Sequence, residues 1–209
     1  MKINCNTVII GKKLILVPYK KQHVEKYHGW MSSEEIREQT ASEELSIEEE
    51  YENQQSWYED EKKCTFIILD RDLLSSVVDD NGNDRGGQWH SNTQDVISMC
   101  GDVNIFFNDF EEEGTGELEI MIAEQNSRRK GIAKEALHLM MKYAIDNFTF
   151  LKQFIVKISE NNSASIQLFK NLGFEQVGHV NVFKEINLIL DKNNYKPLNN
   201  NPLEIKSWE

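Results

Sequence analysis

The segment Glu117-Leu118-Glu119-Ile120-Met121-Ile122-Ala123, a short connection, and then Arg128-Arg129-Lys130-Gly131-Ile132-Ala133 decides how this chain folds. Leu118, Ile120 and Ile122 alternate with Glu117, Glu119 and Met121, which is the period of a strand. From Ala133 the apolar residues Ala136, Leu137, Met140, Met141 and Ala144 recur every three or four positions, as on an amphipathic helix. A strand therefore ends near Ala123, and a helix begins beside one glycine and three basic residues. A helix N-terminus carries unpaired N–H groups and a partial positive charge, so phosphates bind there readily. Gly131 lets the backbone approach an anion with no side chain in the way. Arg128, Arg129 and Lys130 add formal charge. The patterns G-x-G-x-x-G and G-x-x-x-x-G-K-[ST] are absent, and R-x-x-G-x-A remains.

Upstream, residues 7 to 18 read as one strand, which Pro18 stops from pairing further. Val24, Tyr27 and Met31 have helical spacing. Ser32 with Glu35, and Ser46 with Glu49, read as capping boxes that open two short helices. Phe66 to Leu69 is an apolar run of strand length. Residues 71–95 are rich in Asp, Asn, Gly and Ser and read as a polar surface insertion. Val96 to Phe107 resumes strand character, and Glu111 to Gly114 makes a turn into the next strand. Downstream, Phe154, Val156 and Ile158 alternate as a strand. Asn162 or Ser163 caps a helix that Gly173 ends. Two closing strands lie near 174–180 and 182–190, with Ile186, Leu188 and Leu190 on one face. Residues 191–209 are Asn-rich and read as a flexible tail. The order of elements predicts a mixed α/β (α+β) domain over 1–190.

The chain has 209 residues and a formal net charge of -12. Such a charge argues against nucleic acid or an anionic membrane as the partner, and it suits a cationic one. Cys5, Cys64 and Cys100 are scattered, with no CxxC pair, so neither a disulfide framework nor a zinc site is expected. The five histidines form no cluster, and no metal is expected. The apolar run near the N-terminus is too short for a leader or a membrane span, and a cytoplasmic or nuclear location is expected.

Arg128-x-x-Gly131-x-Ala133 after its strand resembles the acetyl-CoA pyrophosphate loop of the GNAT superfamily of N-acetyltransferases. Asn162-Ser163-Ala164-Ser165-Ile166-Gln167-Leu168-Phe169-Lys170-Asn171-Leu172-Gly173-Phe174 resembles that superfamily's later helix. Further stretches resemble the N-acetyltransferase 9-like family. They include Leu16-Val17-Pro18-Tyr19, Trp30-Met31, Cys64-Thr65-Phe66-Ile67, Gly101-Asp102-Val103-Asn104 and Met121-Ile122-Ala123-Glu124, and the matches reach to about Leu190. The resemblance implies a GNAT fold, a mostly antiparallel twisted sheet flanked by helices, with its core over about 34–182. It implies acetyl-CoA as acyl donor and the N-termini of α- and β-tubulin as acceptors, with microtubule stability favoured and a microtubule-associated location. A polyamine or another protein N-terminus, or a regulator that binds without catalysing, are the alternatives.

Acetyl transfer to an amine needs a neutral nitrogen, so a general base is useful at pH 7. The resemblance points to Glu117 as that base, directly or through water, with Glu119 as second candidate. It assigns donor binding to Arg128, Arg129, Lys130, Gly131, Ile132 and Ala133. Backbone groups of Met121, Ile122 and Ala123 are expected to pair with the pantetheine arm as an added strand. Asn162 is expected to hydrogen-bond the pantetheine or the neighbouring loop, or to cap its helix. Phe169 stands where many GNAT enzymes carry a thiolate-protonating tyrosine. It cannot donate, which leaves unassisted departure, water or Tyr143. The N-terminal helices, with Tyr27, Trp30, Trp57 and the acids Glu34, Glu35, Glu43 and Glu44, are expected to wall the acceptor groove.

Overall fold

The computed structural model describes residues 2–75, 93–107, 113–199 and 201–208. The chain opens with β1 (Thr7–Ile10) and β2 (Leu14–Pro18), then α1 (Val24–Met31), α2 (Glu34–Thr40) and α3 (Ile47–Glu59). Next come β3 (Lys63–Asp70), α4 (Arg71–Ser75), α5 (Thr93–Ser98), β4 (Met99–Phe106) and β5 (Thr115–Ile122). The second half holds α6 (Ile132–Asn147), β6 (Gln153–Ser159), α7 (Ser163–Asn171), β7 (Glu175–Val177), β8 (Glu185–Asp191) and β9 (Glu204–Ser207). The strands form one sheet in the order β7-β8-β6-β5-β4-β3-β2-β1-β9. Every pair is antiparallel except β5 with β6. The mixed, mostly antiparallel sheet flanked by helices is the GNAT architecture expected from the sequence.

Strand alternation divides the core in two. Leu16, Phe66, Ile68, Val103, Ile105 and Leu118 point to the face covered by α6 and α7. Val17, Ile67, Leu69 and Met121 point to the other, under α1, α2 and α3. Tyr19, Tyr27 and Trp57 pack ring against ring on that second face.

Several sequence expectations change locally. The single strand over 7–18 is a hairpin turning at Gly11 to Lys13, where the Glu135 carboxylate on α6 accepts from the N–H groups of Lys12 and Lys13. Pro18 stays in β2, registered with Phe66; the register with β1 stops at Leu16, so no β1 group needs the missing N–H. Ser46 forms its capping box with Glu49, but Ser32 forms none. Its hydroxyl instead donates back to the His28 carbonyl, and α2 begins at Glu34. The start of the stretch read as strand from Val96 belongs to α5, and β4 begins only at Met99. Most of the insertion, and Glu111 and Glu112 of the expected turn, lie outside the described residues. The stretch read as a flexible tail supplies β9, which pairs with β1 from Thr7↔Ser207 to Ile10↔Glu204. Beyond it Trp208 is buried, edge-on to His23. One aromatic anchor and an unpaired strand edge outweigh the polar composition.

Candidate active site

β5 lies between β4 and β6. It is registered with β4 from Glu117 to Ile122, but with β6 only from Thr115 to Glu117. β6 continues with β8 as far as Ser159. Past Glu117, therefore, the two parallel strands part. The Ala123 N–H donates to Cys100 O on β4. By alternation, Met121 also turns its backbone toward β4, while Leu118, Ile120 and Ile122 turn theirs into the opening. Of the three residues expected to pair with an extended arm, only Ile122 faces the opening, and its carbonyl accepts from Arg128 Nε at 2.9 Å.

The loop at the end of the opening has an unusual backbone. Arg129 and Gly131 both have positive φ, 60° and 82°. Gly131 is the N-cap of α6 and provides no side-chain cap. The N–H groups of Ile132, Ala133 and Lys134 lack an intrahelical acceptor by helix geometry. Two left-handed residues just before a helix N-terminus, with its free N–H groups, form a backbone cradle that suits an anion. The basic side chains around it divide their work. Arg128 binds the Ile122 and Ala123 carbonyls and so fastens the loop to β5. Lys130 donates to Asp70 at 2.9 Å and Asp72 at 3.1 Å, and Ser127 donates to Asp70 as well. These hydrogen bonds raise the Lys130 pKa. Arg129 remains exposed. Lys13, which the sequence reading passed over, reaches across from the hairpin to the Lys130 carbonyl at 2.6 Å. Ile132 is core and Ala133 half-buried, so these two contribute backbone only.

On the helical-wall side, β3, β4 and β5 present a polar floor. Across them run three rows: Lys63, Phe106 and Glu117; Thr65, Asn104 and Glu119; Ile67, Asp102 and Met121. Glu117 is buried, and its carboxylate takes Lys157 Nζ at 2.9 Å. Glu119 is reached by solvent, yet protein surrounds it on several sides. Desolvation, then the neighbouring Glu117 and Asp102, push its carboxyl up to about 7. Asp102 is fully buried, and burial pushes it up to about 7. Burial lowers the Lys63 ammonium to about 8, and it lies 3.7 Å from the Trp57 ring centroid.

Above the floor, α1, α3 and the connection before α3 enclose a cavity of about 180 Å³. Its walls are Tyr27, Trp57, Met31 and Leu45, with Glu43 and Glu50 as acids. Aromatic faces with carboxylates suit a cation. Trp30 Nε1 ties this wall to the end of β5 through Glu124 at 2.9 Å. Of the other acids, Glu44 pairs with Arg37 at 3.1 Å, while Glu34 and Glu35 are exposed on the first turn of α2.

Three further residues sit as follows. Asn162 caps α7, accepting from the Ser165 N–H at 3.1 Å. Phe169 is core, edge-on to Phe174. Tyr143 is buried against Phe66 on the other face of the sheet, its hydroxyl turned to the Ile3 carbonyl at 3.4 Å, so it is not a substitute acid at the opening. Sequence reasoning missed Lys63, Asp102 and Asn104. The available signal was the spacing of Asp102 and Asn104, two polar residues one strand period apart within an apolar run. Among the described residues no group of His, Cys, Asp and Glu forms a metal site, and no helix is long and apolar enough to cross a membrane.

The acetyltransferase (GNAT) domain family matches residues 13–175. An N-acetyltransferase 9-like protein of Dictyostelium discoideum is 59% identical, over 100% of both chains. An alpha/beta-tubulin-N-acetyltransferase 9 of Homo sapiens is 42% identical over 91% of this chain and 86% of its own. Among solved structures, a spermidine N-acetyltransferase from Vibrio cholerae, in complex with CoA and spermine, has a TM-score of 0.67 at 16% identity, over 88% of this chain and 99% of that one. GNAT acetyltransferases use acetyl-CoA as acyl donor. The chain belongs to the GNAT N-acetyltransferases, in the group of the N-acetyltransferase 9-like proteins.

Proposed function

We propose that this acetyltransferase modifies the N-terminal amine of α- and β-tubulin, in the cytoplasm and on or near microtubules, and so favours microtubule stability. The observation that carries the reading is near-full-length similarity to relatives named for that activity. The acid-floored groove under an aromatic wall supports it, because a protein N-terminus arrives as an ammonium.

The division of labour follows from the residues. The cradle from Arg129 to Ala133 takes the donor's pyrophosphate, and Arg128 and Lys130 hold that loop in shape. The open edge at Leu118, Ile120 and Ile122 receives the pantetheine arm by strand addition. Asn162, the N-cap of α7 just past the end of β6, is the candidate partner for the pantetheine. Of the two carboxylates expected to serve as base, Glu117 is committed to Lys157, and Glu119 has no ion-pair partner among the described residues. Glu119 is therefore the base in this reading. With Phe169 in the core, the CoA thiolate leaves unassisted, which a thiol pKa of about 8.5 permits.

The test is transfer from labelled acetyl-CoA to purified tubulin beside spermidine, followed by peptide mapping. Label on the tubulin N-termini is expected. Label on spermidine alone, or on tubulin lysine side chains alone, would sink the acceptor assignment. Donor binding with no transfer to either would point to a binding protein instead.

A further inference from the structure

The middle row of the polar floor contains an unfilled bond. Asn104 is 4% exposed, and its Nδ2 donates to Asp102 Oδ2 at 2.6 Å. Its Oδ1 is buried with no donor among the described residues, and neither is there a partner for the Thr65 hydroxyl beside it. A buried acceptor left this way is costly to the fold. Directly across the β4–β5 pair, Asn104 is registered with Glu119. A carboxylate there has only acceptors to offer, whereas a protonated carboxyl has an O–H. Protonation of Glu119 therefore puts an O–H on the residue registered with Asn104, whose Oδ1 lacks a donor.

The charged and titratable groups around the network come from every element packed on it. Lys63 faces it from β3, Glu117 from β5 and Lys157 from β6. Tyr27 faces it from α1; burial, then Asp102, Tyr19, Glu50 and Glu119, raise the Tyr27 pKa well above its ordinary value. Glu50 on α3, itself raised by burial, acts on Tyr27 and Tyr19, and Tyr19 in turn feels Asp102. Lys63 stays over the rings of Trp57 and Phe106 and forms no salt bridge to either carboxyl among the described residues.

We infer that Asp102, Asn104 and Glu119 act as one proton-sharing unit, in which Glu119 takes the proton of the acceptor amine while Asp102 and Asn104, beneath it, set its proton affinity. The inference rests on the reading of the enzyme as an amine acetyltransferase. Asp102 and Asn104 are positioning residues, because only Glu119 is open to solvent. In the reaction an N–H proton of the ammonium passes to the Glu119 carboxylate. The freed nitrogen lone pair attacks the thioester carbon and an N–C bond forms. The C–S bond breaks, and its electron pair leaves on sulfur. The second nitrogen proton ends on that sulfur as CoA thiol, and Glu119 returns its proton to solvent. Each carboxyl, Asp102 buried and Glu119 above it, resists ionising beside the other, which agrees with the raised values of both.

The experiment begins with the protein alone. Side-chain carboxyl signals are followed by carbon-13 NMR across pH 4 to 9 in wild type and in Asp102→Asn, with Glu119→Gln to assign the signal. Glu119 is expected to titrate near 7 and to move down by about one unit or more in Asp102→Asn, since a like charge is removed. Glu119 titrating at its ordinary value of about 4.3, or unmoved by Asp102→Asn, overturns the shared unit. The second arm follows the rate against pH with a tubulin N-terminal peptide and with spermidine. Glu119→Gln is expected to lower kcat by about 10²–10⁴ on whichever amine is acetylated, with acetyl-CoA affinity intact by calorimetry. Asp102→Asn is expected to lower kcat at pH 8 severalfold, because a less basic Glu119 is a weaker base, and to shift the acidic limb downward. Wild-type rate in Glu119→Gln overturns the base assignment. Transfer to spermidine but not to the peptide fails only the protein-acceptor reading.

Discussion

Lys157 Nζ lies 2.9 Å from Glu117 Oε2, beside the point where β5 and β6 stop pairing. The carboxylate is nearly covered and the lysine is partly open to water. The ion pair thus fastens β6 to β5 at the apex of the opening. Its partial exposure limits its strength to about 1 kcal/mol. A double-mutant cycle of Lys157→Met and Glu117→Gln, followed by urea unfolding, should return a coupling of about that size. Additive single mutants would show the pair to be idle. Because Glu117 is engaged here, Glu117→Gln should lower acetyl transfer less than tenfold.

Gly131 has φ of 82° and stands at the mouth of α6, where a Cβ would come within 2.9 Å of Lys13 Nζ. Asn tolerates this backbone better than most residues and brings no charge. Asp adds a carboxylate facing the donor pyrophosphate. Gly131→Asp should weaken acetyl-CoA binding by about a hundredfold or more in calorimetry, and Gly131→Asn by distinctly less, with both variants folded. This ordering separates charge from backbone strain. Equal losses would show that strain alone is at work.

How much of this was legible in the sequence depends on the range of each interaction. The β5–loop–α6 unit and the Asn162 to Phe174 helix were readable because their periodicities and glycines are local. The loop's position was equally legible, but the directions of its side chains were not. Asp70 and Asp72, which take up Lys130, lie some sixty residues upstream, so nothing near Lys130 reveals them. Asp102 and Asn104 read as two polar positions in a strand. Their burial is decided by α1 and α3, which no local pattern connects to β4. The same limit hid β9, whose four residues are exposed and whose place is set by pairing with β1 and by the single tryptophan that follows.

That tryptophan carries a prediction. Trp208 is 8% exposed, sits edge-on to His23 at 5.8 Å, and its N–H donates to the Asn6 carbonyl at 3.1 Å. Truncating a buried aromatic residue costs about 3–5 kcal/mol where the space cannot collapse. Trp208→Ala should therefore lower the urea midpoint clearly, whereas Ile205→Ala, at an exposed β9 position, should scarcely move it. Equal effects, or none from Trp208→Ala, would show that the last strand is dispensable.

The Asp102 carboxyl also makes stability depend on pH. Burial raises its folded value to about 7, against about 3.9 for an unfolded aspartate. Between those values the folded chain holds a proton that the unfolded chain has lost. Stability contributed by this group therefore falls as pH rises from about 4 to about 7, and then levels off. Asp102→Asn keeps the shape and an acceptor for the Asn104 amide, and has nothing to ionise. The stability difference between variant and wild type, taken from urea melts at each pH, should grow in favour of the variant across that window and stay constant above it. Glu119, also raised, titrates in the same range. Repeating the series in a Glu119→Gln background should bring the upper end of the window to lower pH, because one like charge has gone. A difference that is flat with pH would mean that Asp102 is ionised throughout, with a positive partner strong enough to offset its burial.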